Sequence, residues 1–278
     1  MKFTVFGGSG FVGGSLTRAL VANGHDVQVP SRPVEPLVDG HSLGHVIYAI
    51  GLTADFRHRT PEAIEAHAHL LARLLQGSSF DSWLYLSSTR VYGCSVNDEQ
   101  VDEYSPIRIT PSADAIYDLS KLLGESVCLA HPSPTVRVAR LSNVYGTGQS
   151  PGNFLGSVIR SVCERGRVLV GEAPESSKDY VCVSDVVGVL PLISMFGRER
   201  LYNLACGRQT THRQLAAIVA RCSSGVVDFA PNPKIRKFPT ISVQRLASEF
   251  GYDPVSPEAG ISSLLSRSQE IKYDRRHI

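Results

Sequence analysis

Three residues that can move a proton lie close together in this chain. Tyr117 and Lys121 are four residues apart, and Ser88 follows the apolar run that precedes them. A spacing of four places two side chains on the same face of a helix. A free tyrosine titrates near pH ~10, and a neighbouring ammonium lowers that value. The trio therefore predicts an acid-base group that acts on a carbonyl or carbinol oxygen, with Ser88 hydrogen bonded to the same oxygen.

A glycine-rich turn near the N-terminus predicts the group that would work with these side chains. The turn follows a short apolar strand at 2–6 and opens an amphipathic helix that begins near Phe11. Such a turn lets the backbone approach a pyrophosphate, which then meets the free N–H groups of the helix N-terminus. We therefore expect hydride transfer with a bound dinucleotide, held by Gly7, Gly10, Phe11, Val12 and Gly13.

The end of the second strand, at 26–29, distinguishes two nicotinamide cofactors. An acidic residue there binds a ribose 2′-hydroxyl, whereas an arginine accommodates a 2′-phosphate. Ser31 and Arg32 follow this strand, and no acid occurs before Glu35. The sequence therefore favours NADP(H), with Arg32 as the phosphate clamp and Ser31 as its helper, and NAD(H) is the alternative. Lys121 is expected to bind the nicotinamide ribose beside Tyr117.

The elements that carry these residues alternate between strand and helix. After the first strand, turn and helix, strands are predicted at 45–50, 83–86 and 135–141, and helices at 61–76 and 117–129. This alternation predicts an α/β fold with a doubly wound parallel sheet. We expect a dinucleotide-binding Rossmann domain over 1–150, to which 179–205 returns. A smaller C-terminal α/β lobe, formed by 151–178 and 206–278, would bind the substrate.

The composition favours a soluble enzyme over other classes of protein. Among 278 residues, 42% are hydrophobic and 19% charged, and the net charge is +2, so we expect neither a nucleic-acid nor a membrane partner. Six scattered cysteines and a strand at the very N-terminus predict a reduced, cytoplasmic protein without a signal peptide. His67 and His69, two apart on a helix, would point to different faces, so no metal site is expected.

The motifs, taken in chain order, resemble those of the extended short-chain dehydrogenase/reductase family, the group of nucleotide-sugar epimerases, dehydratases and reductases. The resemblance covers nearly the whole chain. It rests on the turn at 7–13, Tyr117 with Lys121, and the segments LSSTRVYG at 86–93, RLSNVYG at 140–146, KDYVCVSD at 178–185 and YNL at 202–204. It implies that Ser88, Tyr117 and Lys121 form the catalytic group and that the protein is a homodimer.

The resemblance also implies a nucleotide-diphosphate sugar as the substrate. Lys178 stands where the family commonly has an arginine, so the charge is kept and the bidentate fork is lost. The family's Arg-Pro-Gly-Asp segment is missing near Ala230, and Arg236 or Lys237 is expected to replace its arginine. The residues implied to contact the substrate are Ser88, Thr89, Arg90, Asn143, Asn153, Phe154, Lys178 and Arg236.

The residues after Ser88 favour one of the family's reactions. Thr89 and Arg90 stand where the dehydratases have Asp-Glu, and the cysteine of the enzymes that epimerise C3 and C5 is absent. We therefore expect an NADPH-dependent reductase of a 4-keto group on a nucleotide-diphosphate sugar. Three alternatives stay open: a 4-epimerase that retains its cofactor, a reductase of a non-nucleotide carbonyl, and a dinucleotide-binding sensor without turnover.

Overall fold

A computed structural model describes residues 1–31, 42–52, 56–94, 99–150, 152–223 and 225–274. Arg32, the predicted phosphate clamp, lies outside these ranges. The strands within them are β1 (Lys2–Phe6), β2 (Asp26–Gln28), β3 (His45–Tyr48), β4 (Ser82–Ser88), β5 (Gln100–Val101), β6 (Val136–Leu141), β7 (Asn143–Tyr145), β8 (Arg167–Glu172), β9 (Ser177–Cys182), β10 (Leu201–Leu204), β11 (Gln209–Thr211), β12 (Val226–Lys234) and β13 (Thr240–Ile241).

The helices agree in position with most of those predicted from the sequence. They are α1 (Phe11–Ala22), α2 (Thr60–Ile64), α3 (Leu70–Gly77), α4 (Ile116–Ala130), α5 (Phe154–Arg165), α6 (Val183–Phe196), α7 (His212–Cys222), α8 (Gln244–Phe250) and α9 (Pro257–Asp274). A five-residue π-helix, Glu65–His69, joins α2 to α3. The single helix predicted at 61–76 is thus one continuous helical rod with a π segment in its middle.

Six strands form one parallel sheet in the order β2-β1-β3-β4-β6-β10. From β1 the chain first moves outward to β2 and then returns to the other side of β1 to form β3. Ligands of such sheets bind at the carboxyl ends of the strands, where this change of direction leaves a crevice. The predicted α/β fold with a doubly wound parallel sheet is confirmed.

The side chains of the sheet alternate between two apolar layers, as expected for strands buried on both faces. On one face, Val5 and Leu84 pack against α1 and α6. On the other face, Tyr48 and Trp83 pack against α3 and α4. This double covering fixes the carboxyl ends of β1, β3 and β4 next to the N-terminus of α1 and the first turns of α4.

A second group of elements packs around its own apolar cluster, centred on Tyr145, Val162 and Val219. This group includes α5, α7, β8 and β12, and its first helix begins after residue 150. Strand β10 meanwhile pairs with β6 in the main sheet. The assignment of the two parts of the chain to cofactor and substrate stays a prediction.

Helix α6 and the strands β5, β7, β8, β11, β12 and β13 were not predicted from the sequence. Helix α6 runs through Pro191, and its burial against the sheet outweighs the lost hydrogen bond. Strand β12 contains Pro231 and Pro233 and pairs with β8 in a two-stranded sheet. Prolines are tolerated there because a two-stranded sheet consists only of edges.

Two general features concern the whole described chain. None of its described helices combines the length and the apolar character needed to cross a bilayer. None of the six cysteines, which all lie within the described ranges, forms a disulfide bond, and Cys128 and Cys206 are buried.

Candidate active site

The turn between β1 and α1 fits a pyrophosphate. Gly7 has φ +83°, and a side chain there would lie 2.8 Å from the carbonyl of Ala49. Gly13 packs so closely on the Gly7 carbonyl that only glycine has room. No side chain caps the start of α1, and its first turn contains no acidic residue. The uncapped N–H groups of this helix therefore offer an anion site beside a backbone that a ligand can approach closely.

The three predicted proton-handling side chains lie together on one wall of a cleft. Ser88 ends β4, and Tyr117 and Lys121 lie on the buried face of α4. The Ser88 hydroxyl acts to lower the pKa of Tyr117, so the two side chains are neighbours in the cleft. The Lys121 ammonium donates to the backbone carbonyl of Leu86, with Nζ 2.9 Å from the oxygen. The sequence prediction that these three residues converge is met by this geometry.

The electrostatics of this wall differ from the sequence expectation. Burial raises the pKa of Tyr117, and the Ser88 hydroxyl and the Arg90 guanidinium only partly oppose the rise. The expected lowering of this pKa by Lys121 is therefore wrong. Burial also lowers the pKa of Lys121 to about 7, against a weaker opposing effect of Glu125. The pair thus combines a protonated phenol with an amine that titrates near neutrality.

Replacing Lys121 with methionine is expected to stabilise the folded protein near neutral pH. The folded pKa of about 7 lies below the ordinary 10.5, so the unfolded chain binds a proton that the folded chain releases. The resulting cost to stability grows as the pH falls from about 10.5 to about 7 and stays constant below that. Urea unfolding of Lys121→Met should show a gain of roughly 2–4 kcal/mol at pH 6.5, and little gain near pH 10. A loss of stability at pH 6.5, or a gain independent of pH, would contradict the assigned shift.

Arg90 completes the wall around Tyr117. Its backbone N–H donates to the Ser88 hydroxyl oxygen at 3.2 Å. Its guanidinium forms an ion pair with Asp118, Nε to Oδ1 3.0 Å, and lies 5.3 Å from the centre of the Tyr117 ring. The family resemblance implies that Arg90 contacts the substrate. In the structure it pairs with Asp118 on α4 and also lines the cleft, and a contact with the substrate stays a prediction.

The opposite wall carries the asparagines implied by the family resemblance. Asn143 donates from Nδ2 to the backbone carbonyl of Asp179, 2.8 Å away. Asn153 caps α5, because its Oδ1 accepts from the backbone N–H of Gly156. Both residues line the cleft. Their side chains position β9 and α5, so any contact with a substrate is additional to a structural role.

The cationic residues of this wall surround one carboxylate. Lys178 Nζ lies 3.4 Å from Glu172 Oε2, and Arg236 Nη1 lies 3.6 Å from Glu172 Oε1. The Lys178 ammonium is also 4.3 Å from the centre of the Phe154 ring, whose other contact is His212, stacked at 4.4 Å. Burial lowers the pKa of Lys178 and that of His212, the latter to about 4. Two cations thus flank Glu172, and one of them, Lys178, lies over the Phe154 ring.

The cleft has a volume of about 550 Å³. The structure places all but three of the predicted site residues along it. Gly7 forms the turn beneath it and Ser31 is not part of its lining, while Arg32 is outside the described residues. The predicted residues that line it are Gly10, Phe11, Val12, Gly13, Ser88, Thr89, Arg90, Tyr117, Lys121, Asn143, Asn153, Phe154, Lys178 and Arg236.

Phe56 and Arg57 are among the cleft residues for which the sequence gave no prediction. The ring centre of Phe56 is 5.4 Å from that of Tyr117, and the Arg57 guanidinium lies 4.6 Å above the Phe56 ring. Both residues follow the carboxyl end of β3. Position after a parallel strand was the available signal, because the carboxyl ends of such strands meet at one edge.

A protein-family model matches most of the chain. The model of the NAD dependent epimerase/dehydratase family matches residues 3–205. The chain belongs to this family. It is therefore an enzyme of the NAD-dependent epimerase/dehydratase type, with the resemblance predicted from its motifs confirmed.

Two curated relatives of this epimerase/dehydratase protein act on nucleotide sugars by name. UDP-glucuronic acid decarboxylase 1 of Xenopus tropicalis is 24% identical, over 95% of this chain and 71% of the relative. A dTDP-glucose 4,6-dehydratase of Streptomyces niveus is 25% identical, over 80% of this chain and 68% of the relative. Family members at this identity differ in the reaction that their names record.

Solved structures share the fold at lower identity. MoeE5 in complex with UDP-glucose and NAD has a TM-score of 0.81, with 19% identity over 97% of this chain and 99% of that one. RMD from Pseudomonas aeruginosa, complexed with NADPH, also has 0.81, with 23% identity over 98% and 100%. A UDP-glucose 4-epimerase from Thermotoga maritima has 0.80, with 21% identity over 98% and 99%. The fold thus occurs with either NAD or NADPH.

Proposed function

We propose that this protein is an NADPH-dependent reductase that converts a 4-keto group on a nucleotide-diphosphate sugar into an alcohol. The observation that carries the proposal is the wall formed by Ser88, Tyr117 and Lys121, in which the buried phenol is held protonated beside a serine hydroxyl. A protonated acid is what a ketone needs as its oxygen gains negative charge.

The other groups of the cleft favour redox chemistry over elimination of water. Among its described lining residues the only carboxylate is Asp179. That carboxylate accepts hydrogen bonds from the backbone N–H groups of Cys206 and Arg208, at 2.9 and 3.1 Å. An acid or base for dehydration would need an unengaged carboxyl near Ser88. Arg90 lies there instead, consistent with the absence of Asp-Glu after Ser88.

The chain's residues divide the work as follows. The turn at Gly7–Gly13 and the N-terminus of α1 would hold the pyrophosphate of the dinucleotide. A bound nicotinamide supplies or accepts the hydride. Ser88 donates a hydrogen bond to the substrate's carbonyl oxygen, and Tyr117 delivers the proton to that oxygen. Lys121, which lies at the edge of the cleft, would bind the ribose hydroxyls of the dinucleotide.

The substrate's diphosphate would contact Lys178 and Arg236, the two cations that flank Glu172. In the structure Glu172 is their anionic partner, so a diphosphate, with more negative charge, would compete for the same cations. Phe154 lies beside Lys178 and offers an aromatic surface for the base. Ser31 and Arg32 would bind the cofactor's 2′-phosphate, as the sequence predicts.

A second candidate function is a 4-epimerase that retains NAD. The observation in its favour is the shared fold of the chain with MoeE5, whose structure contains UDP-glucose and NAD, and with a UDP-glucose 4-epimerase. Such an enzyme would use Tyr117 first as base and then as acid, at the same carbon.

The decisive experiment measures cofactor turnover with a panel of sugars. The purified protein is mixed with NADPH or NADH and with UDP- and dTDP-linked 4-ketosugars, and loss of the reduced nicotinamide absorbance is followed. We expect oxidation of NADPH, faster than that of NADH, and no oxidation with a ketosugar that lacks the diphosphate. Stoichiometric NAD in the purified protein, with interconversion of 4-epimers and no net oxidation, would support the epimerase instead. Tight binding without any turnover would support a sensor.

The quaternary structure proposed is a homodimer that uses the helices α2 and α4. Ile64, Leu119 and Leu123 are 44%, 41% and 51% exposed on these helices, and burying such side chains against a second copy stabilises association. Light scattering should give a mass near twice the chain's 30.2 kDa. A cytoplasmic location stays a prediction.

A further inference from the structure

One buried histidine has no role in the proposed chemistry. His67 lies in the π-helix between α2 and α3 and is completely buried. The π segment turns it toward α4, where its ring centre is 5.3 Å from that of Tyr117 in an edge-on contact. Neighbouring His69 is exposed and bonded to Glu65. A π segment inside a helix is costly and is found mainly at functional sites.

Both ring nitrogens of His67 have partners, and these partners fix its tautomer. The backbone N–H of Leu52 donates to Nε2 at 3.1 Å, so Nε2 carries no proton. Nδ1 is 2.8 Å from the Ser120 hydroxyl, which itself donates to the backbone carbonyl of Tyr117 at 2.9 Å. Because the single proton of Ser120 is used there, the proton of the other bond comes from Nδ1. Two independent contacts thus require the neutral Nδ1–H form.

His67 and Lys121 both lie close to Gly51. A side chain on Gly51 would lie 3.3 Å from His67 Nε2 and 3.4 Å from Lys121 Nζ. Gly51 and Leu52 follow β3 at the carboxyl edge of the sheet, and Gly51 lines the cleft. The histidine, the lysine and the backbone of this segment are therefore packed against one another.

We propose that His67, as the neutral Nδ1–H tautomer, is a positioning residue that ties the 51–52 segment to helix α4 and so fixes the Lys121 ammonium at the edge of the cleft. The inference rests on the proposed use of Lys121 by the cofactor. Leucine in place of histidine would fill the volume but would leave the Leu52 N–H without its acceptor and the Ser120 oxygen without its donor.

The charge environment agrees with a neutral ring. Besides Leu52, Ser120 and Tyr117, the Lys121 ammonium on α4 lies near His67, and the Tyr85 hydroxyl on β4 donates to the His67 backbone carbonyl at 3.1 Å. Burial, with a smaller effect of Lys121, lowers the pKa of His67 to about 3. A proton on Nε2 would also face the Leu52 N–H. His67 therefore orders its neighbours without exchanging protons.

The tautomer can be tested without any sugar or cofactor. In the protein with ¹⁵N-labelled histidine, one of nine imidazoles should show the Nδ1–H form by NMR and should not titrate between pH 5 and pH 8. Loss of that signal in His67→Gln assigns it. An Nε2–H form, or a titration near the ordinary value of ~6.5, would overturn the proposal.

Two variants test the positioning role. His67→Gln places an amide oxygen near the position of Nε2 and keeps an acceptor for Leu52, whereas His67→Leu keeps only the volume. NADH or NADPH affinity, measured by fluorescence, should weaken roughly tenfold in His67→Leu and less than about threefold in His67→Gln. In His67→Leu the pH midpoint of binding should also move upward by roughly one unit, because Lys121 becomes more hydrated.

These outcomes separate the inference from the proposed function. Equal affinities and pH profiles in the two variants, with both folded by circular dichroism, would show that His67 only fills space and would overturn the proposal. If no sugar is turned over but the dinucleotide binds, the affinity and NMR measurements still decide the role of His67. A wild-type protein that binds no dinucleotide would refute the proposed function, while the tautomer test would stand.

Discussion

Replacing Tyr117 with phenylalanine is expected to lower kcat about 10³-fold while dinucleotide affinity changes less than about threefold. The hydroxyl is the acid that the proposed reduction requires, and the Ser88 hydroxyl beside it acts to lower its pKa. The pyrophosphate would be held elsewhere, at the β1–α1 turn. The measurement is single-turnover oxidation of bound NADPH by the ketosugar, together with a fluorescence titration of NADPH.

A matched control for this variant is Tyr48→Phe. Tyr48 is also buried, and its hydroxyl donates to the backbone carbonyl of Ala66 at 2.7 Å, on the same helical rod as His67. It does not line the cleft. The control should lose some stability and keep kcat within a few-fold of the wild type. If Tyr117→Phe kept kcat within threefold, the proton would have to come from another group, and the assignment of Tyr117 would be wrong.

For the wild-type protein, we expect the rates of ketone reduction and of alcohol oxidation to depend on pH in opposite ways. Because burial raises the pKa of Tyr117, the phenol stays protonated through neutral pH, and the rate of reduction should not fall until alkaline pH. The oxidation of the corresponding alcohol needs the phenolate and should rise with pH over the same range. This sign follows from the direction of the shift alone.

The second prediction concerns the stability of the fold and involves an ion pair that contacts strand β4. Removing the Glu125 carboxylate, as in Glu125→Ala, is expected to destabilise the fold by about 3–5 kcal/mol. Glu125 and Arg140 form a bidentate ion pair, with Nη2 and Oε2 2.6 Å apart, and both side chains are about 95% buried or more. Ser87 donates to the same carboxylate. Among the residues that the structure describes, the Tyr92 hydroxyl, at 2.8 Å, would then be the remaining hydrogen-bond partner of the buried guanidinium.

A double replacement measures the interaction between Glu125 and Arg140 separately from their contacts with other residues. Glu125→Leu with Arg140→Met removes both charges and keeps apolar volume, and such exchanges are often neutral or stabilising. Urea unfolding should therefore show a double variant more stable than either single variant. A double variant whose loss equals the sum of the two single losses would mean that the two groups do not interact. The expected coupling is of the order of 2 kcal/mol or more.

This ion pair also matters for the site, because Ser87 and Ser88 are consecutive on β4. Residue 87 points into the layer that contains Glu125, and residue 88 points to the cleft. The pair therefore fixes the end of the strand that carries the Ser88 hydroxyl. A part of any loss of activity in Glu125→Ala should reappear when Ser87 alone is replaced with alanine.

The residues that the sequence identified are those whose role depends on local spacing. The glycines at 7, 10 and 13 are required by a turn that the chain makes within a few residues, and Tyr117 and Lys121 share a helix face because they are four residues apart. Alternating strands and helices likewise determined the doubly wound sheet. Such features need no knowledge of distant neighbours, and the structure contains them as predicted.

The tertiary structure decided everything that depends on what surrounds a side chain. Tyr117 is buried, so its pKa rises instead of falling. Arg90 forms an ion pair with Asp118. Lys178 and Arg236 both form ion pairs with Glu172. His67 points inward because it lies in a π-helical segment, which the hydrophobic periodicity of the sequence does not predict. Desolvation and ion pairing join residues far apart in the chain, so a one-dimensional pattern does not contain them.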